Sequence, residues 1–202
     1  MLQPGALLKA MAIFQRSIFV CLGVLLALSR LDAGEIYTFD QNRSKIGFEV
    51  HHMLGTARGQ FHRFSGTIDL DRDHPERSNV VAKIDSASID TGIQKRDNHL
   101  RSADFFDVAK FPQITFKSRT VKRTEEKAGD VTGDFTMHGV TRPITLHVQL
   151  LDNAGERSRW KISTAPLKRR DFNLLFGGTA ETVSGIGQDV AVIIEIEATR
   201  SR

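Results

Sequence analysis

The chain of 202 residues contains a single cysteine, Cys21. No intrachain disulfide can form, and neither a four-cysteine zinc site nor a two-cysteine, two-histidine one can be built. Tryptophan and tyrosine occur once each, and five prolines with sixteen glycines exclude a collagen-like repeat. No block of one charge sign occurs; the net charge of +4 comes from mixed signs, which argues against a nucleic-acid-binding tail. The apolar run at residues 18–28 is eleven long, well short of the roughly 18 residues of a membrane-crossing helix. Catalytic signatures are missing as well. Ser184-Gly185 lacks the glycine two residues upstream that a G-x-S-x-G elbow needs. Gly185-Ile186-Gly187 lacks the third glycine of a dinucleotide fingerprint, and there is no P-loop.

What is present is ordinary globular composition, 40% hydrophobic and 26% charged. Lys9 and Arg16 precede the apolar run, and small residues follow it. That order is the signature of a secretory signal, cut after Ser29 or Ala33. Two other readings stay open. One is an uncleaved anchor. The other is a lipoprotein cut before Cys21, against which Val20 stands where a small residue is expected. Removal of residues 1–33 takes away the cysteine, three basic side chains and one acidic one. It leaves 25 basic and 23 acidic groups, so no partner is implied by charge alone. The expected organisation is a signal peptide at 1–33 and one domain at 34–202, long enough to build its own core.

The domain reads as strands, because apolar residues recur at every second position. Ile46, Phe48 and Val50 share one face, as do Phe64, Ile68 and Leu70, and Val80, Ala82 and Ile84. The pattern continues in Ile114 and Phe116, in Val131, Phe135 and Met137, and in Ile144, Leu146, Val148 and Leu150. It ends with Trp160 and Ile162, then Val190, Val192, Ile194 and Ile196. With Tyr37 and Phe39 this makes eight or nine strands. Turn signals fall at Asp73-His74-Pro75, Lys127-Ala128-Gly129-Asp130, His138-Gly139 and Asp152-Asn153-Ala154-Gly155. Such short, evenly spaced strands predict an all-β antiparallel barrel or sandwich. Phe61 and Phe64 are three apart, so a bulge at His62 and Arg63 is needed if both face inward. Residues 94–106 lack the period of two; Ile93, Asp97, Leu100 and Asp104 predict a short helix there. Residues 169–188, with Gly177, Gly178, Gly185 and Gly187, predict a mobile loop or lid.

Candidate chemistry is thin. The seven histidines offer no pair placed to share an ion; His51 and His52 are adjacent on a strand and point to opposite faces. His52 shares parity with Phe48 and Val50 and is expected to cap the apolar face. Asp69-Leu70-Asp71-Arg72-Asp73 opens like a calcium loop, but His74 and Val80 stand where glycine and glutamate are required. Asp104 and Asp107 read as caps or ion-pair partners. Lys168-Arg169-Arg170-Asp171 reads as a solvated turn, with an anionic head group or membrane surface as the functional alternative. The interior remains: eleven phenylalanines, mostly on inward parity, in a barrel that is either filled by side chains or open to a ligand. About ten buried ligand carbons would supply roughly 8 kcal/mol, or about micromolar affinity before association costs.

Two runs carry a resemblance to a known family. One extends from Arg96 through Asn98-His99-Leu100-Arg101-Ser102-Ala103-Asp104-Phe105-Phe106 to Ser118, and the other from Val131 through Met137-His138-Gly139-Val140-Thr141-Arg142-Pro143 to Leu146. Phe48-Glu49-Val50-His51-His52-Met53, Gly59-Gln60-Phe61, Ser88-Ile89-Asp90-Thr91 and Arg170-Asp171-Phe172 add to it. Over residues 36–198 the chain resembles the YceI-like family. The resemblance implies a lipocalin-like eight-stranded antiparallel barrel that holds a polyprenyl lipid or isoprenoid quinone, in the periplasm, without catalytic residues; no metal or cofactor is expected. Spacing from Phe48 and Val50 favours His52 over His51 as the family's histidine, and Asn173 departs from the glycine common at that place. On that basis Phe48, Val50, Phe64, Ile84, Phe116, Phe135, Ile144, Leu146, Trp160, Ile162, Val192 and Ile194 are expected to line the tunnel. His52, Arg170, Asp171 and Phe172 are the expected rim or head-group residues. Transient membrane contact and a homodimer stay open, and nucleic acid is not expected. Two rival functions remain: a lipid- or quinone-modifying enzyme using His52 or the Arg170-Asp171 pair, and a filled-barrel protein-interaction module.

Overall fold

The computed structural model describes residues 34–175 and 185–201. The expected signal at 1–33, and the part of the expected mobile loop at 176–184, lie outside the described residues.

Twelve strands build one sheet: β1 (Glu35–Phe39), β2 (Lys45–His52), β3 (Gly55–Phe61), β4 (Phe64–Leu70), β5 (Asn79–Asp85), β6 (Ile89–Asp90), β7 (Gln113–Glu125), β8 (Ala128–Met137), β9 (Val140–Ala154), β10 (Arg157–Thr164), β11 (Leu167–Lys168) and β12 (Asp189–Arg200). Eight of them, in the order β1-β4-β5-β7-β8-β9-β10-β12, close into an antiparallel barrel when β12 pairs back to β1. Every pairing of the ring lies within Glu35–Arg200, so the barrel closes on itself without other parts of the chain.

The excess over the expected eight or nine strands is β3 and the two-residue strands β6 and β11. A 3-10 turn at Gln41–Arg43 splits one long strand into β1 and β2, both of which pair with β12. His62 and Arg63 split the next into β3 and β4, and Phe61 and Phe64 on either side are both buried. The corner bonds are made by His62 N–H to Ser88 O and by Asp85 N–H to Arg63 O. The β2–β3 hairpin pairs with β12 on one edge and β6 on the other, outside the ring. The alternation in β3 is masked because its inward positions, Ala57 and Gly59, are small; Phe48 lies across Gly59 and fills that space.

Tight turns join the long strands. His138 and Gly139 both have positive φ (49° and 74°), the backbone that a two-residue hairpin loop matching strand twist requires. The β7–β8 turn is made by residues 126 and 127, so Ala128, Gly129 and Asp130 belong to β8 and not to the turn as the composition suggested. Likewise β9 continues through Ala154 and turns at residues 155 and 156.

The helix, α1, spans Gln94–Arg101, shorter than the 94–106 predicted. It ends because Ser102 N–H bonds to His99 O and Phe106 N–H folds back on Leu100 O. Asp97 anchors its start, accepting from Thr91 N–H at 2.9 Å and from the Thr91 hydroxyl. Arg101 holds its other end, donating to Ala87 O at 2.8 Å and to Ile89 O. Phe106 then packs edge-on against Phe61, with centroids 6.2 Å apart.

Candidate functional site: an apolar tunnel

Burial on the barrel's inner face is incomplete in a patterned way. Val190, Val192 and Ile194 of β12 point inward, yet each is only half-buried. The same holds for Ile144, Leu146 and Val148 on β9 and for Ile162 on β10. Inward side chains stay accessible because they face empty space. That space is a cavity of about 930 Å³, within the range of small-molecule sites.

Eleven of the twelve residues expected in the wall line this cavity: Phe48, Val50, Ile84, Phe116, Phe135, Ile144, Leu146, Trp160, Ile162, Val192 and Ile194. Phe64 does not. It follows the corner at His62 and Arg63, and its ring is buried in the packed core instead. Parity along β4 put Phe64 on the inner face correctly, but the corner removes it from the open space.

The expected rim fares less evenly. His52 lines the cavity, and its Nδ1 accepts from Leu54 N–H at 3.3 Å. Arg170, Asp171 and Phe172 do not line it. They belong to a 3-10 turn, Arg169–Phe172, rather than to a loose loop. Arg170 and Asp171 are exposed, and Phe172 is buried with its ring edge-on to Phe135 at 5.3 Å, behind the wall. The residue of that cluster that reaches the cavity is Arg169. It was expected to be solvated but is 2% exposed, and it donates to the backbone carbonyls of Gly187 (3.0 Å), Leu174 (2.9 Å) and Ile186 (3.3 Å). A buried cation here acts as a clasp joining the segment at 174 to the segment at 186–187, since its donors bond to backbone carbonyls of both.

Sequence reasoning missed the contribution of α1 and its approach. Thr91, Ile93, Lys95, Arg96, His99 and Leu100 all line the cavity. The helical spacing was visible, but nothing in a single sequence says which wall a helix closes. Among the described lining residues, only Ile93, Lys95 and His99 are themselves exposed, which places the mouth beside α1. Arg96 is held there by bonds to Thr91 Oγ1 at 2.7 Å and Thr91 O at 2.9 Å. The mouth is therefore one-sided in charge: among the described lining residues there is no aspartate or glutamate.

At the far end of β12 the barrel is shut. Ile196 and Ala198 are 3% and 0% exposed, and Tyr37 on the neighbouring β1 is 1% exposed. The Tyr37 hydroxyl donates to Glu35 Oε2 at 2.8 Å and accepts from Arg72 Nη2 at 2.9 Å. Arg72 Nε also bonds to Glu35 Oε2 at 2.9 Å, and Arg200 stands 3.5 Å from the same carboxylate. Burial pushes the Glu35 carboxyl up, but the bonds from Arg72 and Tyr37 and the two cations outweigh it, so it sits below its ordinary value. Burial, reinforced by the adjacent Glu35, raises the Tyr37 phenol above its own.

No group of three or more His, Cys, Asp or Glu side chains able to hold a metal ion occurs among the described residues.

Comparison with known proteins gives a consistent placement. The family model described as "YceI-like domain" matches residues 37–198. Protein YceI of Escherichia coli O157:H7 is 33% identical over 193 residues, covering 90% of this chain and 97% of that protein. Among solved structures, Burkholderia cenocepacia BcnA superposes with a TM-score of 0.74 at 26% identity, covering 80% of this chain and 99% of that one. A domain from Saccharophagus degradans, described as polyisoprenoid-binding, shares the fold with a TM-score of 0.63 at 21% identity, covering 82% of this chain and 98% of that one. The barrel, its inward apolar face and these matches together make the chain a member of the YceI-like family.

Proposed function

We propose that the chain holds a long-chain isoprenoid lipid, a polyprenyl lipid or an isoprenoid quinone, inside the barrel and carries or stores it without chemical change. The observation that carries this reading is the half-buried inner wall. A filled barrel would leave Val192, Ile194 and Ile162 fully buried, whereas here they face about 930 Å³ of unfilled space. That speaks against the filled-barrel interaction module. The apolar wall gives a hydrocarbon the roughly 0.8 kcal/mol per CH2 that burial provides. Two of the polar groups that line the cavity are spent on structure: His52 Nδ1 on Leu54 N–H, and Arg96 on Thr91. This favours holding over turnover by His52. The polyisoprenoid-binding description of the Saccharophagus degradans domain, which shares the fold, is consistent with an isoprenoid guest.

The place of action in this reading is the periplasm, reached through the signal at 1–33. The test is mass spectrometry of lipid extracted from protein recovered from a periplasmic fraction, with the N-terminus sequenced on the same sample. A stoichiometric isoprenoid and a start near residue 30 or 34 are expected. An empty extract from a folded protein that also admits no apolar dye would overturn the carrier reading.

A further inference from the structure

The two most exposed apolar side chains among the described residues stand at the end of a strand that lines the cavity. Met53 and Leu54, at the tip of the β2–β3 hairpin, are 79% and 92% exposed, directly after His52 of the cavity wall. Met53 also lies against Gly185: a Cβ there would stand 2.7 Å from Met53 Cγ. Ile93, 52% exposed, lines the mouth from the α1 side. Beside it stand Lys95, which is exposed, and Arg96. The acids of the same segment are engaged: Asp97 with Thr91, Asp90 with His62 at 2.8 Å, and Asp104 facing His99 at 4.0 Å. Two protruding apolar residues at a tip that follows the cavity-lining His52, with Lys95 and Arg96 on the lining of the same cavity, match the chemistry of an anionic lipid surface.

We infer that the β2–β3 tip (Met53, Leu54) inserts into an anionic bilayer and seats the tunnel mouth on it, so that the guest passes between bilayer and barrel without crossing water. This rests on the carrier reading and names its partner. The physical need is plain. Each CH2 that enters water lowers the population of the transferring species about fourfold, so a long chain cannot leave by the aqueous route at a useful rate.

The test uses residues 34–202, which contain the whole closed barrel, so that the apolar run at 18–28 does not itself bind lipid. Vesicles of roughly one part phosphatidylglycerol to two of phosphatidylcholine are compared with pure phosphatidylcholine. Sedimentation with the anionic vesicles is expected to fall about a hundredfold in the double variant Met53→Asp, Leu54→Asp. Lys95→Glu is expected to weaken it about fivefold or more on anionic vesicles alone. The same samples are titrated with N-phenyl-1-naphthylamine without vesicles. Neither tip residue lines the cavity, so the double variant keeps its dye affinity, which also reports that it is folded. Equal sedimentation of wild type and tip variant overturns the docking proposal. So does failure of the wild type to bind, or a tip variant that splits a dimer in vesicle-free solution, since a second copy would then be what covers the tip. Variant-sensitive vesicle binding by a protein that takes up no dye sustains docking and overturns the carrier reading instead.

Discussion

One strand, β12, is open at one end and sealed at the other. Its inward residues Val190, Val192 and Ile194 are half-buried, while Ile196 and Ala198, two and four positions further on, are 3% and 0% exposed. Residue type hardly differs; what changes is what lies opposite. Ile196 is the last residue of β12 to line the cavity and Ala198 lies beyond it, toward the end closed by Tyr37 and its bonds to Glu35 and Arg72, whereas Val190 and Val192 border the cavity with half-buried side chains. Burial in this fold is decided by position along the barrel axis more than by hydrophobicity.

Substitutions at the two ends should therefore cost differently. The largest effect is expected from Tyr37→Ala at the sealed end, which removes a buried ring and two hydrogen bonds. A loss of about 3–5 kcal/mol in urea unfolding is expected. In the open half, Ile162→Asp places a charge in the cavity wall. Guest binding is expected to fall by at least a hundredfold in a protein that still folds; unchanged lipid content in a folded variant would remove Ile162 from the site. A matched pair on β12 sharpens the contrast. Ile196→Ala should cost about 2–5 kcal/mol, and Ile194→Ala about half as much in the empty protein, because both border the cavity but Ile194 is only half-buried whereas Ile196 is packed to 3% exposure. Equal losses would mean that the two halves are packed alike.

The smallest effect concerns pH. The Glu35 carboxyl is held below its ordinary value of 4.5, so its ionised form favours the folded state. That contribution is complete above about pH 4.5 and is lost as pH falls through the depressed folded value. Glu35→Gln should lower the urea midpoint near neutral pH and shrink the difference from wild type below about pH 4. A difference that instead grew in acid would reverse the sign of the linkage.

Much of this comparison was legible before any coordinates. A period of two assigns inner and outer faces, which is why eleven of the twelve wall residues were found from alternation. The spacing of Phe61 and Phe64 likewise called for a bulge at His62 and Arg63 if both faced inward, and the strand breaks there. Four things were not legible. Alternation does not say where along the axis the interior is filled, so Phe64 was placed in the wall although it packs into the core. A cluster such as Lys168-Arg169-Arg170-Asp171 gives no hint of which member turns inward. Arg169 does so because a 3-10 turn, and not a strand, sets its direction. The mouth depends on α1 lying over one end, a long-range relation that local pattern does not encode. Finally, two-residue strands such as β6 and β11 are too short to show any period.

The half-buried wall has a thermodynamic corollary. An interior left unfilled is an unfinished core, and a guest would supply the missing atoms. Loading and folding are then coupled equilibria: at a hundredfold excess over the dissociation constant, occupancy adds about 2.7 kcal/mol to stability. Melting temperature becomes a direct readout of cargo, and a preparation stripped of lipid should unfold first at the end where β12 is open.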